Sequence, residues 1–313
     1  RLVGSVALGT APLVLLGGLV AVVVAISVTG SLSPLLGFGP AVLGVAAGIA
    51  RDIARGGAWT VERTAVGLRL RHGLLDRRSQ TIPRGRVQAV RVSQPPLWRL
   101  TSWWKVEVNV AGYGLESDGE QGSSTQVVPV CTRPEVDLLL ALVVPDDHPT
   151  AGDPAPHPAA VEEGLTGTGP SGWTTSPRRA RVLDPVGWRR QGLRATPSQL
   201  LLRRGRLWRS LDVVPHGRTQ SLGLVQGPWQ RRLRLSTLVV HSTPGPVRPV
   251  APHLDAAEAV AALLAQAERA RTAARLEGRR PPVPATLTAP PESLEPASEE
   301  PGSEETVRPA ERP

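Results

Sequence analysis

A segment of 32 residues occurs twice in this chain of 313 residues, at a constant offset of 132. Residues 68–99 align with residues 200–231 without a gap, and 13 of the aligned pairs are identical. This period is longer than the roughly 20–50 residues of solenoid repeats. The repeat therefore predicts a duplicated domain, with one copy in residues 51–145 and the other in residues 181–277.

Each copy has the residue pattern of a small antiparallel β domain. Short segments bounded by turn residues, most of them alternating between apolar and polar side chains, are typical of strands. In the first copy these segments are 66–71, 74–82, 86–92, 105–110 and 126–130. Apolar residues at helical spacing follow in 134–143, and a longer helix is predicted over 254–277. The predicted fold class is α+β, with two antiparallel β-sandwich or barrel domains, each closed by a C-terminal helix.

Two uncharged apolar runs precede the first copy, at residues 2–28 and 32–50. Each is close to the length of about 20 residues that a membrane-spanning helix requires. They predict a transmembrane helical hairpin in residues 1–50, with a signal peptide or a buried core helix as the alternative. Arginine at both ends of the hairpin predicts a multi-pass protein of the cell membrane, with both β domains on the cytoplasmic side.

Two further segments lack the pattern of a folded domain. Residues 146–180 are rich in Asp, Pro, Gly and Thr without periodicity, which predicts a flexible linker. Residues 278–313 are rich in Pro, Glu and Ser and contain few large aliphatic residues. They cannot bury enough apolar surface to offset chain entropy, so we expect a disordered acidic tail.

The repeat contains a motif that both copies keep, and its residues are Pro83, Arg86 and Gln88 in the first copy and Pro215, Arg218 and Gln220 in the second. With the flanking segments 59–61 and 94–99, this motif resembles the pleckstrin-homology-like (PH-like) domains of YdbS/YdbT-like bacterial membrane proteins. The resemblance implies a PH-like fold for both copies. Because the chain starts with Arg and contains no Met, we expect the C-terminal part of a longer member with several copies.

Little in the sequence predicts catalysis. Six His residues stand in no metal-ligand spacing, and the single Cys131 has no convincing His partner. No phosphate-cradling glycine loop of the P-loop or dinucleotide type is present. We therefore expect no enzyme, no metal and no cofactor.

Positive charge is concentrated in the two copies. The whole chain carries +9, while residues 51–113 carry +8 and residues 178–250 carry +13. The residues that we expect to contact lipid or a partner are Arg69, Arg71, Arg77, Arg78, Arg84, Arg86, Arg203, Arg204, Arg209 and Arg218. The alternative is that these arginines only keep the surface soluble.

These features predict a membrane-anchored, non-catalytic binding or scaffold protein that presents tandem basic PH-like domains at the cytoplasmic face. The expected partners are the lipid bilayer, its anionic headgroups, or an unknown membrane or cytoplasmic protein. The alternative is a nucleic-acid-binding protein tethered to the membrane. Nucleic acid is disfavoured because a single Tyr and a single Phe leave few stacking residues besides Trp.

Overall fold

A computed structural model of the protein describes residues 10–31, 39–41, 43–45, 47–48, 59–64, 67–72, 78–83, 85–111, 125–144 and 158–278. The fold of these residues is α+β, and every strand pair in them is antiparallel. Of the predicted fold class, the α+β, antiparallel character is observed, whereas its membrane anchor is not.

The first apolar run contains helix α1, Thr10–Thr29, while the second is described only at 39–41, 43–45 and 47–48. None of the helices in the described part of the chain combines the length and the apolarity needed to cross a membrane. The predicted transmembrane hairpin is therefore wrong, and so is the multi-pass membrane localisation that rested on it. Of the described side chains of α1, Val22 is 5 % exposed, whereas Leu19 and Val28 are more than half exposed.

The first copy folds into two three-stranded units and a helix. Its elements are β1 (Thr60–Arg63), β2 (Gly67–His72), β3 (Arg78–Pro83), β4 (Val87–Gln94), β5 (Trp104–Val110), β6 (Thr125–Cys131) and α2 (Arg133–Val143). The strands pair in the orders β1-β2-β3 and β4-β5-β6. A capping box begins α2, in which the Thr132 N–H donates to Glu135 over 2.6 Å.

The second copy repeats this arrangement after a short helix and strand, α3 (Pro158–Thr166) and β7 (Thr174–Thr175). Its elements are β8 (Gly192–Ala195), β9 (Gln199–Arg204), β10 (Arg209–Pro215), β11 (Ser221–Val225), α4 (Pro228–Arg232), β12 (Leu235–His241), β13 (Val250–Asp255) and α5 (Ala256–Gly278). The offset of 132 carries Thr60 at the start of β1 onto Gly192 at the start of β8. The structure thus confirms the duplication.

The two copies are joined through a shared sheet. Strand β4 of the first copy pairs with β10 of the second, from Gln94 opposite Arg209 to Val90 opposite Val213. The result is one seven-stranded sheet in the order β6-β5-β4-β10-β9-β8-β7. We call the pairing of β4 with β10 the seam.

Both faces of the shared sheet are buried at the seam. Val90 and Leu211 lie in one core cluster, while Ala89 and Val214 lie in another. This two-sided burial explains the unbroken apolar run 200–202 in β9, because a strand covered on both faces has no solvent side for polar residues.

Helix α3 lies in the segment that the sequence predicted as a linker. Its Val161 and Leu165 are buried in the same cluster as Leu211 and Val213. Arg190, 1 % exposed, donates to the carbonyl groups at the end of α3, including that of Gly164 at 2.8 Å. These bonds satisfy carbonyls that a helix end leaves without intrahelical partners.

The linker prediction is thus wrong for residues 158–166, where α3 is too short for its apolar spacing to stand out from the sequence. Residues 146–157 and the predicted tail beyond Gly278 lie outside the described residues.

A buried ion pair crosses the seam. The Arg91 guanidinium donates to both carboxylate oxygens of Asp212, at 2.6 and 2.9 Å, and Asp212 has no exposed surface. Arg204 lies 3.5 Å from the same carboxylate. Burial by itself lowers the pKa of Arg91, but the hydrogen bonds and the charge of Asp212 raise it above its usual value. The two copies are therefore joined by charge as well as by backbone pairing.

Removing the carboxylate should weaken the whole fold. We expect Asp212→Ala to lower the free energy of unfolding by about 3–5 kcal/mol, because Arg91 and Arg204 then lose their anionic partner in a buried site. Urea titration followed by circular dichroism measures this loss. The double variant Arg91→Met/Asp212→Leu should lose less, since it leaves no unpaired charge at that pair; an equal loss would contradict the role of the ion pair.

Candidate binding site at the seam between the copies

A cleft of about 360 Å³ opens at one end of the seam. Both copies line it, and its polar lining includes Arg91, Ser93, Gln94, Arg204, Arg209 and Ser210. The first three lie on β4, the last two lie on β10, and Arg204 ends β9. The cleft therefore depends on the joining of the two copies.

The turn between β9 and β10 forms one wall of the cleft. Gly205 begins it with φ +70°, and a side chain at this position would collide with the backbone of Trp208. Arg99 of the first copy donates to the carbonyl groups of Arg206 and Leu207 in this turn. These contacts hold Trp208, 56 % exposed, at the rim of the cleft.

The arginines around this turn are incompletely neutralised. Burial lowers the pKa of Arg99, and the positive charges of Arg209 and Arg206 lower it further. The pKa of Arg190 falls to about 9 through burial and then through Arg209, Arg203 and Arg99. Like charges that depress one another's pKa values create a positive potential, which a bound anion would relieve.

Acidic groups near the cleft are already engaged. Asp184 in the lining accepts hydrogen bonds from the Gly187 N–H at 2.7 Å and from the side-chain amide of Gln191. Asp212 is occupied by Arg91 and Arg204. Among the described residues, Arg209 makes no side-chain hydrogen bond or ion pair, so its guanidinium is available to a ligand.

Two stretches of the sequence, 3–143 and 173–268, match the family described as Bacterial PH domain. They cover more than half of the chain and contain most of both duplicated copies. The chain belongs to the bacterial PH domain family. No curated protein and no solved structure matches the chain. The resemblance stated from the motif is thus confirmed at the level of the family, and PH domains are generally non-catalytic binding modules.

Within this bacterial PH domain protein, the structure brings together only part of the predicted binding set. Arg204 and Arg209 line the cleft. Arg203 does not, because it is buried 4.4 Å from the Trp173 ring and donates to the carbonyl group of Gly169. Burial lowers the pKa of Arg203 to about 10, and its role is to hold the segment before β7 against β9.

The family motif lies at turns where the copies meet. A guanidinium nitrogen of Arg218 lies 3.5 Å from the point that a side chain on Gly85 would occupy. Pro215 is buried, and Gln88 is 6 % exposed, with its amide 3.5 Å from the Arg86 carbonyl oxygen. These residues shape turns and contacts between the copies.

The remaining predicted residues belong to the first copy, except Gln220 of the second. Arg69 and Arg71 lie on β2, and Arg71 is 3.5 Å from Glu62 on the neighbouring strand. Arg86, Gln220 and Pro83 are exposed or half-buried and do not line the cleft. Arg77, Arg84 and the side chain of Arg78 lie outside the described residues.

Sequence reasoning missed Arg91 and its partner at the seam. The offset of 132 places Gly223 at the position of Arg91 and Gln80 at the position of Asp212. Both members of the ion pair are therefore replaced together in the other copy. Because 19 of the 32 aligned pairs differ, this replacement alone could not have identified the ion pair.

The single thiol lies in the core of the first copy. Cys131 is 1 % exposed and its thiol donates to the Trp104 carbonyl group over 3.3 Å. Burial and the charge of Glu135 raise its pKa from 9.0 to about 12. A thiolate is the reactive form, so this position is unsuited to a nucleophile.

The thiol should react only after unfolding. We expect iodoacetamide to leave Cys131 unmodified at pH 8 in native buffer and to modify it in guanidinium chloride, as measured by mass spectrometry. Because the folded pKa is raised, the contribution of the thiol to stability is present below about pH 9 and is lost towards pH 12. Rapid native labelling would contradict this environment.

Proposed function

We propose that this bacterial PH domain protein is a non-catalytic binding protein whose seam cleft takes the anionic headgroup of a lipid. Arg209 carries the proposal, because it lines the cleft and its side chain has no hydrogen-bond or ion-pair partner among the described residues. Its charge also adds to burial in lowering the pKa values of the nearby Arg99 and Arg190. An anion held there would offset a repulsion that the free protein retains. The proposed branch of the family is the YdbS/YdbT-like one, to which the motif points.

The dimensions and chemistry of the cleft support this ligand class. Small-molecule sites occupy about 300–1,000 Å³, so the cleft of about 360 Å³ suits a single headgroup. Guanidinium groups bind phosphate through paired hydrogen bonds, and the hydroxyl groups of Ser93 and Ser210 add donors. Exposed Trp208 at the rim offers an apolar body with a polar tip to the boundary of a lipid layer.

The shared sheet supports a scaffold role. A sheet that runs through both copies fixes the orientation of one copy relative to the other, so a ligand at the seam contacts both at once. Binding there would also stabilise the seam, because a ligand that binds only the folded protein shifts the unfolding equilibrium.

Charge reversal in the cleft tests the proposal. The full-length protein should sediment with phosphatidylglycerol-containing vesicles at low salt and remain in solution with pure phosphatidylcholine vesicles. Arg209→Glu should weaken the sedimentation about tenfold or more, since each charge near an anionic membrane contributes about 1 kcal/mol. Added salt should reduce binding of the unaltered protein.

A matched variant separates the cleft from net charge. Arg269→Glu changes an exposed residue of α5 by the same charge and should bind nearly as well as the unaltered protein. If both variants lose affinity equally, a diffuse surface charge is responsible and the cleft is not the site. If inorganic phosphate stabilises the protein against urea as strongly as the anionic vesicles do, the site recognises free phosphate and the lipid proposal is wrong.

A further inference from the structure

Among the described residues, one strand of the second copy lacks the neighbouring strand that its equivalent in the first copy has. Strand β4 pairs with β5 on one side and with β10 across the seam on the other. The equivalent strand β11 pairs with β12, and among the described residues no strand lies on its outer side. The unpaired N–H and C=O groups of such an edge are a template for an added strand.

The open strand is built like its paired equivalent. In the first copy, the Gln94 side chain donates to the Trp103 carbonyl group over 3.1 Å. In the second, Gln226 donates to the Leu235 carbonyl group over 2.8 Å. Gln226 and Leu235 each lie 132 positions after their counterparts in the first copy. The edge of β11 and the turn after it therefore have the geometry that accepts a strand at β4.

Apolar side chains remain exposed along this edge. Val92 on β4 is completely buried at the seam, while its equivalent Leu224 on β11 is 36 % exposed. The next residue, Val225, is 57 % exposed, and Trp229 on α4 is 67 % exposed. We call residues 221–232, which include these three, the open edge.

The arginine equivalent to Arg99 has no side-chain partner among the described residues of the second copy. Arg99 donates to two carbonyl groups in the turn that precedes β10. Its equivalent, Arg231, is exposed, and its side chain has no acceptor among the described residues. Arg232 and Arg234 beside it are also exposed, so the surface around the open edge is strongly positive.

We propose that the open edge binds an extended acidic segment of a partner protein as an added antiparallel strand. Backbone groups of β11 pair with this segment, as those of β4 pair with β10. Leu224 and Trp229 cover its apolar side chains, and Arg231 donates to its carbonyl or carboxylate groups. The site is separate from the seam cleft and does not depend on what the cleft binds.

Charge decides against a second copy of this chain as the occupant. The strand equivalent to β10 is β3, the edge of the first sheet. At the offset of 132, Arg78 of β3 corresponds to Ser210, and Gln80 corresponds to Asp212. Arg77 immediately precedes β3. Such a strand would bring further positive charge to Arg231, whereas an acidic strand offsets it.

Two synthetic peptides test the proposal. One has the sequence of residues 206–215 with both arginines replaced by glutamate, and the other has the unaltered sequence. Fluorescence anisotropy with the full-length protein should show about tenfold tighter binding of the acidic peptide. Hydrogen exchange should show new protection of the amides of 221–225 on binding. Equal affinity of the peptides, no binding of either, or no protection of these amides would overturn the proposal.

Variants of exposed residues locate the contact. Trp229→Ala and Arg231→Glu should each weaken binding of the acidic peptide about tenfold, because buried aromatic and arginine anchors dominate such interfaces. Leu264→Ala and Arg269→Glu, exposed on α5, are the matched controls and should bind as the unaltered protein does. Loss of binding in the controls would place the contact elsewhere. Self-association abolished by Trp229→Ala would identify a second copy and overturn the acidic partner.

Discussion

The pairing of β4 with β10 determines the rest of the described structure. Ten residues from two copies meet in this pairing, and one of them is the fully buried Asp212, which lies opposite Arg91. Arg91 neutralises that carboxylate and also donates to the carbonyl groups of Pro246 and Arg248. Asn109 on β5 bonds both backbone groups of Val247 in the same loop. One strand pair and its polar neighbours thus order a loop of the second copy from the first.

The candidate site is a consequence of this joining. Arg91 comes from the first copy and Arg209 from the second, and the turn between β9 and β10 is held by Arg99. Burial lowers the pKa values of Arg99 and Arg190, and the guanidinium groups that the same joining brings close together lower them further. The positive potential of the cleft is therefore a property of the pair of copies, since neither copy contains all the residues that generate it.

The two copies differ at the strand edges that have different surroundings. At the seam the equivalent positions hold Arg91 and Asp212, while the outer edges hold Gly223 and Gln80. Among the described residues, β3 and β11 have no neighbouring strand on their outer sides that could supply the other member of an ion pair. The inner edges carry specific charges because they pair with each other, and the outer edge at β11 retains exposed apolar residues such as Leu224. A duplicated fold thereby contains one edge for internal pairing and one edge for which we propose an external partner.

The sequence by itself determined five of the six strands of the first copy, the terminal helices, the duplication and the family; it missed β1. These features depend on local alternation, helical spacing and a gapless repeat, which are properties of neighbouring residues. Two features depended on tertiary structure. Apolar composition predicted spanning helices in residues 1–50, but composition does not state what an apolar side chain packs against. Helix α3 is too short to show a period, and it is stabilised by burial of Val161 and Leu165.

The roles of the arginines were also decided by tertiary structure. Arg203 and Arg204 are adjacent in β9 and equally charged, yet one is buried beneath Trp173 and the other lines the cleft. Successive residues of a strand point to opposite faces, and only the packing of the sheet determines what covers each face. The sequence shows that positive charge is concentrated in the two copies, while the pairing at the seam determines which charged groups come into contact.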